Sequence, residues 1–206
     1  MKLLNIIILI VSLFTTDIFA QNASRTEQQR KLQLTEYSDH FEIFAEVMPF
    51  SINTQSDILA HFTYLDSFKP LERGEITLHL NIDGSVVSQK LLVPTKIGIY
   101  KFSMTPIKAG TGTLTFEIKT KDKIEKVVIT NITVFNNKRE AQLDANNKFI
   151  KHSKGIIYYK ERSWNVNFST AKAEIKNGKY IVVPQQAVIK QNGKMYVFLQ
   201  LHPELF

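Results

Sequence analysis

The chain has 206 residues, a net charge of +7 and no cysteine, so no disulfide can stabilise it and the fold must rest on its own hydrophobic core. Lysine supplies 21 of the 26 basic residues, and the lysines stand singly along alternating segments such as KFSMTPIK. A nucleic-acid site would instead cluster arginines among aromatic residues. We therefore expect no nucleic-acid partner, while association with an anionic membrane surface stays open.

The N-terminus has the pattern of a secretory signal. Lys2 precedes the apolar run LLNIIILIVSLF, and small residues follow it. This predicts a signal peptide over residues 1–20, cleaved after Ala20 or alternatively after Ala23. A membrane anchor is the less favoured alternative, because a spanning helix needs about 20 apolar residues. The mature chain is therefore expected outside the cytoplasm.

Residues 21–37 are polar and aperiodic, which predicts a flexible lead-in. From residue 38 to residue 137, apolar and polar residues alternate in seven segments separated by turn signals such as Asp83-Gly84. These segments are FEIFAEVMPF, SDILAHFTYL, EITLHLNI, VVSQKLLV, GIYKFSMTP, TLTFEIKT and KIEKVVITNITVF. The pattern predicts an immunoglobulin-like β-sandwich.

Residues 138–155 are a polar linker whose first part is compatible with a short helix. After it, five shorter strand-like segments follow: IIYYK, SWNVNFSTAKAEI, KYIVV, QAVIK and MYVFLQL. Asn192-Gly193 is a strong hairpin turn signal between the last two. Residues 156–206 are therefore predicted as a small partial β-barrel segment with open edges, which can pair with another chain. The predicted fold class is all-β.

Candidate metal ligands are scattered along the sequence. No two of the five histidines have ligand spacing, and they are His40, His61, His79, His152 and His202. His61 and His79 could face each other across the sandwich, but a hydrogen-bonded structural role is favoured for both. Three methionines could serve Cu(I) or Ag(I) as soft ligands, but core packing is favoured for each, and these are Met48, Met104 and Met195.

Catalytic patterns are equally weak. Gly110-Thr111-Gly112 is predicted as a turn between two strands, whereas a phosphate loop needs a following helix. Ser56-Asp57 reads as a turn, not as a nucleophile with its base. Glu42 and Glu46 lie about 13 Å apart along one strand, too far to share a proton, and are expected to be solubilising. Three triplets match the glycosylation pattern, beginning at Asn22, Asn131 and Asn167. We therefore expect no enzyme and no catalytic, cofactor-binding or metal-binding residues.

Several segments resemble the periplasmic adaptor subunits, or membrane fusion proteins, of tripartite efflux systems. Residues 57–80, 98–120 and 158–170 resemble the N-terminal portion of the adaptors of resistance–nodulation–division (RND) heavy-metal systems in Gram-negative bacteria. VVPQQAVIKQNGKMYVFLQLHPELF is similar to a later stretch of these proteins, where their β-barrel region continues. Together the two blocks cover most of the mature chain.

The chain also departs from the family. In a full adaptor, a lipoyl-like domain and a long helical hairpin follow the segment of Trp164. Here 19 residues separate Trp164 from Pro184, and they contain no heptad pattern or helix start. The hairpin gives an adaptor its reach at 1.5 Å per residue. This sequence is therefore expected to lack the middle and the C-terminal part of an adaptor.

The resemblance implies a non-catalytic, periplasmic adaptor-like component for the export of metal cations or drugs, with association with the inner membrane left open. The expected partners are an inner-membrane RND pump, full-length adaptor subunits, or both. One alternative is a free-standing periplasmic binding module. Another is a truncated remnant without a present function.

Overall fold

The computed structural model describes residues 29–150 and 155–206. The predicted signal peptide, both of its cleavage sites and residues 21–28 of the lead-in lie outside the described residues. Eight strands form the main body, and they are β1 (Leu32–Tyr37), β2 (Phe41–Val47), β3 (Ser56–Tyr64), β4 (Glu75–Ile82), β5 (Ser85–Leu91), β6 (Ile99–Met104), β7 (Gly110–Lys119) and β8 (Ile124–Val134).

These strands form two antiparallel four-stranded sheets. The first has the order β1-β2-β3-β6 and the second the order β5-β4-β7-β8. Strands β2, β3, β4, β6, β7 and β8 contribute alternate residues to the space between the sheets, as the period of two in a strand requires. In β4 these residues are Ile76, Leu78, Leu80 and Ile82. The predicted all-β, sandwich-like fold is confirmed.

Aromatic rings fill the centre of the core. Phe62 packs edge to face on Phe116 with ring centroids 5.6 Å apart, and on Tyr100 at 5.2 Å. Phe102 also meets Phe116 edge to face. This geometry favours the quadrupoles of the rings, and burial of each large side chain contributes about 1.5–3 kcal/mol. The core therefore accounts for stability without disulfides.

The prediction of a flexible lead-in is wrong for residues 32–37. These residues form strand β1, which pairs with β2 from Leu32↔Val47 to Tyr37↔Glu42. Leu32 and Leu34 pack against the edge of the core. Two leucines among polar residues are too short a pattern to reveal a strand whose stability comes from pairing.

Helix α1 (Lys138–Lys148) follows the sandwich, with the Asn137 side chain accepting a hydrogen bond from the amide of Glu140 at its N-terminus. A second, four-residue helix is α2 (Lys160–Ser163). Two short hairpins come next, formed by β9 (Glu174–Lys176) with β10 (Tyr180–Val182) and by β11 (Ile189–Gln191) with β12 (Lys194–Tyr196), with a 3₁₀ turn at Gln185–Ala187 between them.

The segment after residue 155 thus contains two separate two-stranded sheets, and its described residues form no closed barrel. The Asn192-Gly193 turn is confirmed, with φ of 51° and 73° at its two central residues. In contrast, IIYYK contributes only one isolated bridge, Ile157↔Leu205, and SWNVN forms the end of α2 and a turn. The reason is that residues 156–158 pair with the distant 204–206 rather than with a neighbouring strand.

Candidate functional site

The outer face of the first sheet is buried where a C-terminal segment covers it. On β2 and β3, the residues that point away from the core include Glu42, Phe44, His61 and Thr63, and each is at most 3% exposed. Residues 156–164 and 201–206 lie over them. We call the contact between this sheet face and these two stretches the seam.

Trp164 anchors the first stretch of the seam. Its indole Nε1 donates a 3.0 Å hydrogen bond to Thr63 Oγ1, and its ring lies 6.0 Å from that of His61. Lys69 Nζ donates to the carbonyl of Trp164 at 2.7 Å. A Cβ built on Gly98 would lie 2.8 Å from the Trp164 ring. Glycine at this position therefore makes room for the tryptophan.

The second stretch is held by residues 202–206. The His202 ring stacks on Phe44 with centroids 5.5 Å apart and planes 9° from parallel. Leu205 is fully buried. The backbones of Ile156 and Phe206 exchange hydrogen bonds of 2.6 and 3.1 Å, and the Tyr158 amide donates to the Glu204 carbonyl. The two stretches thus support each other as well as the sheet.

Charged groups lie inside the seam. Lys160 and Glu42 are each 2% exposed and form an ion pair. The backbone amide of Lys160 donates a 2.9 Å hydrogen bond to Glu204 Oε1. Burial raises the pKa of Glu204 to about 7, although the Lys160 amide opposes this effect. A buried carboxyl group of this kind is a common feature of functional sites.

His61 faces the same region. Its Nδ1 lies 3.3 Å from the carbonyl oxygen of Phe44, and its Nε2 lies 3.9 Å from Glu161 Oε1. Burial lowers the pKa of His61, and the Glu161 charge opposes that shift. Potential ligand atoms of His61, Glu161 and Glu204 all lie within 4.8 Å of one another. Within residues 29–150 and 155–206, this is the one group of three or more histidine and carboxylate side chains whose potential ligand atoms lie this close together.

The other histidines lie elsewhere. His79 is on the outer face of the second sheet, where its Nδ1 lies 2.7 Å from Ser88 Oγ, so it does not face His61. His40 pairs with Glu125 at 3.1 Å. His202 belongs to the seam, and His152 lies outside the described residues. The expectation of singly placed histidines therefore missed the contribution of His61.

The candidate methionines and the two carboxylates of β2 differ in how far they are buried. Met104 is buried in the core as expected, whereas Met195 is 73% exposed. Met48 lines a pocket beside α1. Glu46 is a partly exposed partner of Lys31, but the prediction that Glu42 is solubilising is wrong, because the seam buries it.

The glycine and serine candidates have structural positions. Gly112 lies in β7, where a Cβ would approach the Asn81 carbonyl oxygen to 1.8 Å, so the glycines belong to a strand rather than to a turn. Ser56-Asp57 begins β3, and Ser56 Oγ donates to the Pro49 carbonyl. Of the three glycosylation asparagines, Asn131 lies in β8, Asn167 follows α2, and Asn22 is outside the described residues.

Comparison with known proteins gives no relative: no family model, no curated protein and no solved structure matches this chain. Among the residues that the structure covers, no helix combines the length and the apolar character that crossing a bilayer requires.

Proposed function

We propose that this chain is a non-catalytic, adaptor-like component of a periplasmic efflux assembly, which docks onto a pump or a full-length adaptor subunit through its two C-terminal hairpins. The resemblance of residues 57–80, 98–120 and 158–170 to efflux adaptors supports an adaptor-like role. The exposure of the hairpins is the observation that supports docking.

The hairpins present apolar side chains to solvent. All residues of β9, β10, β11 and β12 are exposed. Their large apolar side chains, and those just beyond β12, are 37–76% exposed, with the most exposed being Ile175, Ile181, Met195 and Leu199. An isolated two-stranded hairpin is marginally stable in water. A partner surface that buries these side chains would supply the missing contacts.

Both ends of the hairpin region are fixed to the sandwich. Before the hairpins, Trp164 donates a hydrogen bond to Thr63, and after them, the His202 ring stacks on Phe44. Residues 169–200 are therefore an excursion that starts and ends at the seam. In the adaptors that the sequence resembles, the lipoyl-like and helical parts occupy the corresponding stretch. We infer that the sandwich holds the excursion where a partner can reach it.

The charge of the excursion indicates the chemistry of the partner. Residues 169–200 contain five lysines, at 172, 176, 179, 190 and 194, and a single carboxylate, Glu174. Four of these lysines lie next to an exposed apolar residue in the sequence, as in Ile175-Lys176 and Lys194-Met195. A complementary surface would be an apolar patch with an acidic rim, since opposite charges at the rim steer association and fix orientation.

Site-specific photocrosslinking tests this proposal. A photoreactive amino acid replaces Ile181 or Met195 in the full chain, and Val86, which is 55% exposed on β5, serves as the control position. Irradiation of cells followed by mass spectrometry should recover pump or adaptor subunits from the two hairpin positions and not from Val86. Recovery of neither subunit class, or equal recovery from all three positions, would contradict the proposal.

A further inference from the structure

We propose that His61, Glu161 and Glu204 bind one Zn²⁺ ion, which joins the sandwich to the two C-terminal stretches of the seam. The three side chains come from β3, α2 and the tail at residues 202–206. The proposal concerns the isolated chain, and it does not depend on whether the hairpins dock onto an efflux partner.

The distances are close to those of a coordination shell. Zinc bonds of about 2.1 Å to nitrogen and oxygen place two tetrahedral ligands about 3.4 Å apart. His61 Nε2 and Glu161 Oε1 are 3.9 Å apart, and no ligand atom of the set is more than 4.8 Å from another. Glu161 is 47% exposed. Its side chain is therefore free to make the small inward movement that closes the shell.

The orientation of His61 suits metal binding. Its Nδ1 lies against the carbonyl of Phe44, and a carbonyl oxygen can only accept, so Nδ1 carries the proton. The lone pair of the neutral ring is then on Nε2, which faces Glu161. A metal-binding histidine is commonly fixed in this way by a backbone carbonyl behind it. A divalent cation between Nε2 and the Glu161 carboxylate would satisfy both of these electron-pair donors.

Glu204 is fixed in a similar way. Its Oε1 accepts a hydrogen bond from the backbone amide of Lys160, so the carboxylate is held in place before any ion arrives. Glu204 as a whole is 8% exposed. An ordered ligand loses little conformational entropy on binding, which favours affinity.

The charges of the seam leave room for a divalent cation. The described part of the chain has one buried lysine, Lys160. Its ammonium group forms its ion pair with Glu42, and its charge also acts on Glu204 and His61 from a greater distance. Glu161 and Glu204 together carry two negative charges when ionised. One Zn²⁺ ion would balance them and would remove the cost of holding two carboxylates close together.

The donor set selects the class of metal. One imidazole and two carboxylates suit a borderline ion such as Zn²⁺. Soft Cu(I) prefers thiolate or thioether ligands, whereas Mg²⁺ and Ca²⁺ prefer shells of oxygen alone. Since three protein ligands leave a tetrahedral ion one position short, a water molecule on the exposed side of Glu161 would complete the shell.

Titration of the purified full chain tests the site. Isothermal calorimetry with ZnCl₂ should show one ion per chain, and Mg²⁺ should give no heat. Trp164 is the single tryptophan and its ring is 6.0 Å from that of His61, so its fluorescence should change with the same midpoint. Zinc in large excess over Kd should raise Tm by about 5 °C, because it binds the folded chain.

Two variants locate the ion. Glu161→Gln keeps the shape of a half-exposed side chain, and it should weaken Kd at least about tenfold, since even the partners of metal ligands are worth that much. Glu72→Gln, at an exposed position in the loop after β3, is the matched control and should bind like the wild type. Both variants should keep the wild-type circular dichroism spectrum.

His61→Gln removes the only nitrogen ligand and should abolish binding. If this substitution at a buried position prevents folding, the weakened binding of Glu161→Gln still tests the site. Absence of stoichiometric zinc binding would overturn the proposal. Zinc binding of wild-type strength in Glu161→Gln would also overturn it, because the ion would then occupy another site such as the exposed His40–Glu125 pair.

Discussion

Lys160 and Glu42 form an ion pair that is almost completely removed from water, and it joins a four-residue helix to the outer face of a sheet. The two residues are separated by more than a hundred positions in sequence. A buried pair contributes little net stability, but loss of one partner leaves the other as an uncompensated buried charge. The pair therefore makes attachment of the C-terminal segment sensitive to single substitutions.

Lys160→Met should lower the free energy of unfolding by about 3–5 kcal/mol, because Glu42 would remain buried without its partner. Urea denaturation followed by circular dichroism measures this loss. Lys31→Met is the control, since the Lys31–Glu46 pair is 43% and 30% exposed and should be worth about 0–1 kcal/mol. The double variant Lys160→Met/Glu42→Leu should recover most of the stability. Equal losses in Lys160→Met and Lys31→Met would show that the pair is not buried.

A second prediction concerns the space beneath Trp164. Gly98→Ala would place its Cβ 2.5 Å from Pro70 and 2.8 Å from the Trp164 ring, at a φ of +76°. Gly84→Ala is the matched control, because its φ is +83° but nothing lies within 4 Å of the added Cβ. Both variants should lose about 1 kcal/mol of unfolding free energy through backbone strain. Gly98→Ala should lose roughly a further 1–3 kcal/mol through overpacking.

The emission of Trp164 distinguishes the two effects. Displacement of the indole from Thr63 exposes it to water, so Gly98→Ala should shift the emission maximum to longer wavelength, while Gly84→Ala should leave it unchanged. If both variants keep the wild-type spectrum and lose the same stability, the seam is not packed against Gly98.

The sandwich could be predicted from sequence because its signal is local. EITLHLNI alternates strictly, so Ile76, Leu78 and Leu80 were assignable to the core without knowing their partners. Where the signal depends on a distant partner, prediction failed. IIYYK looks like a strand, but Ile156 and Tyr158 pair with residues 204–206, and the chain turns into α2 after them.

The candidate site was beyond the reach of spacing arguments. His61, Glu161 and Glu204 lie on three segments separated by 100 and 43 positions, so no ligand motif exists in the sequence. The alternation in β3 does place His61 on the side opposite to Ile58, Ala60 and Phe62. That side is the outer face of the sheet, which the pattern alone predicts to be exposed to solvent. Only the covering segment, which no local pattern places, makes that face an interior.

Tyr100 gives a prediction for alkaline pH. Its ring is buried and its hydroxyl donates a 2.8 Å hydrogen bond to the Gly74 carbonyl, and burial raises its pKa to about 12. The unfolded chain releases this proton near pH 10. The contribution of the Tyr100 proton to stability is thus fully present below pH 10, and it is lost as the pH rises from 10 to 12.

Tyr100→Phe removes the ionisable group and serves as the comparison. Between pH 10 and 12, the wild type should lose more stability than Tyr100→Phe in parallel urea titrations. Absorbance at 295 nm should show one tyrosine fewer ionising with a midpoint near 12 in the variant. Parallel pH profiles for the two proteins would mean that Tyr100 ionises as freely in the folded chain as in the unfolded one.

The exposed hairpins make a last prediction that separates folding from docking. Ile175 and Ile181 face each other across β9 and β10 and are 73% and 76% exposed. Ile175→Thr/Ile181→Thr keeps β-branched side chains, so the free energy of unfolding should change by no more than about 0.5 kcal/mol per site. Ile58→Thr, at a fully buried position of β3, should instead cost about 1–3 kcal/mol through a buried hydroxyl group.

Co-purification of pump or adaptor subunits from membranes should fall in the hairpin variant despite its wild-type Tm. Wild-type recovery of those subunits would show that this hairpin contributes nothing to docking.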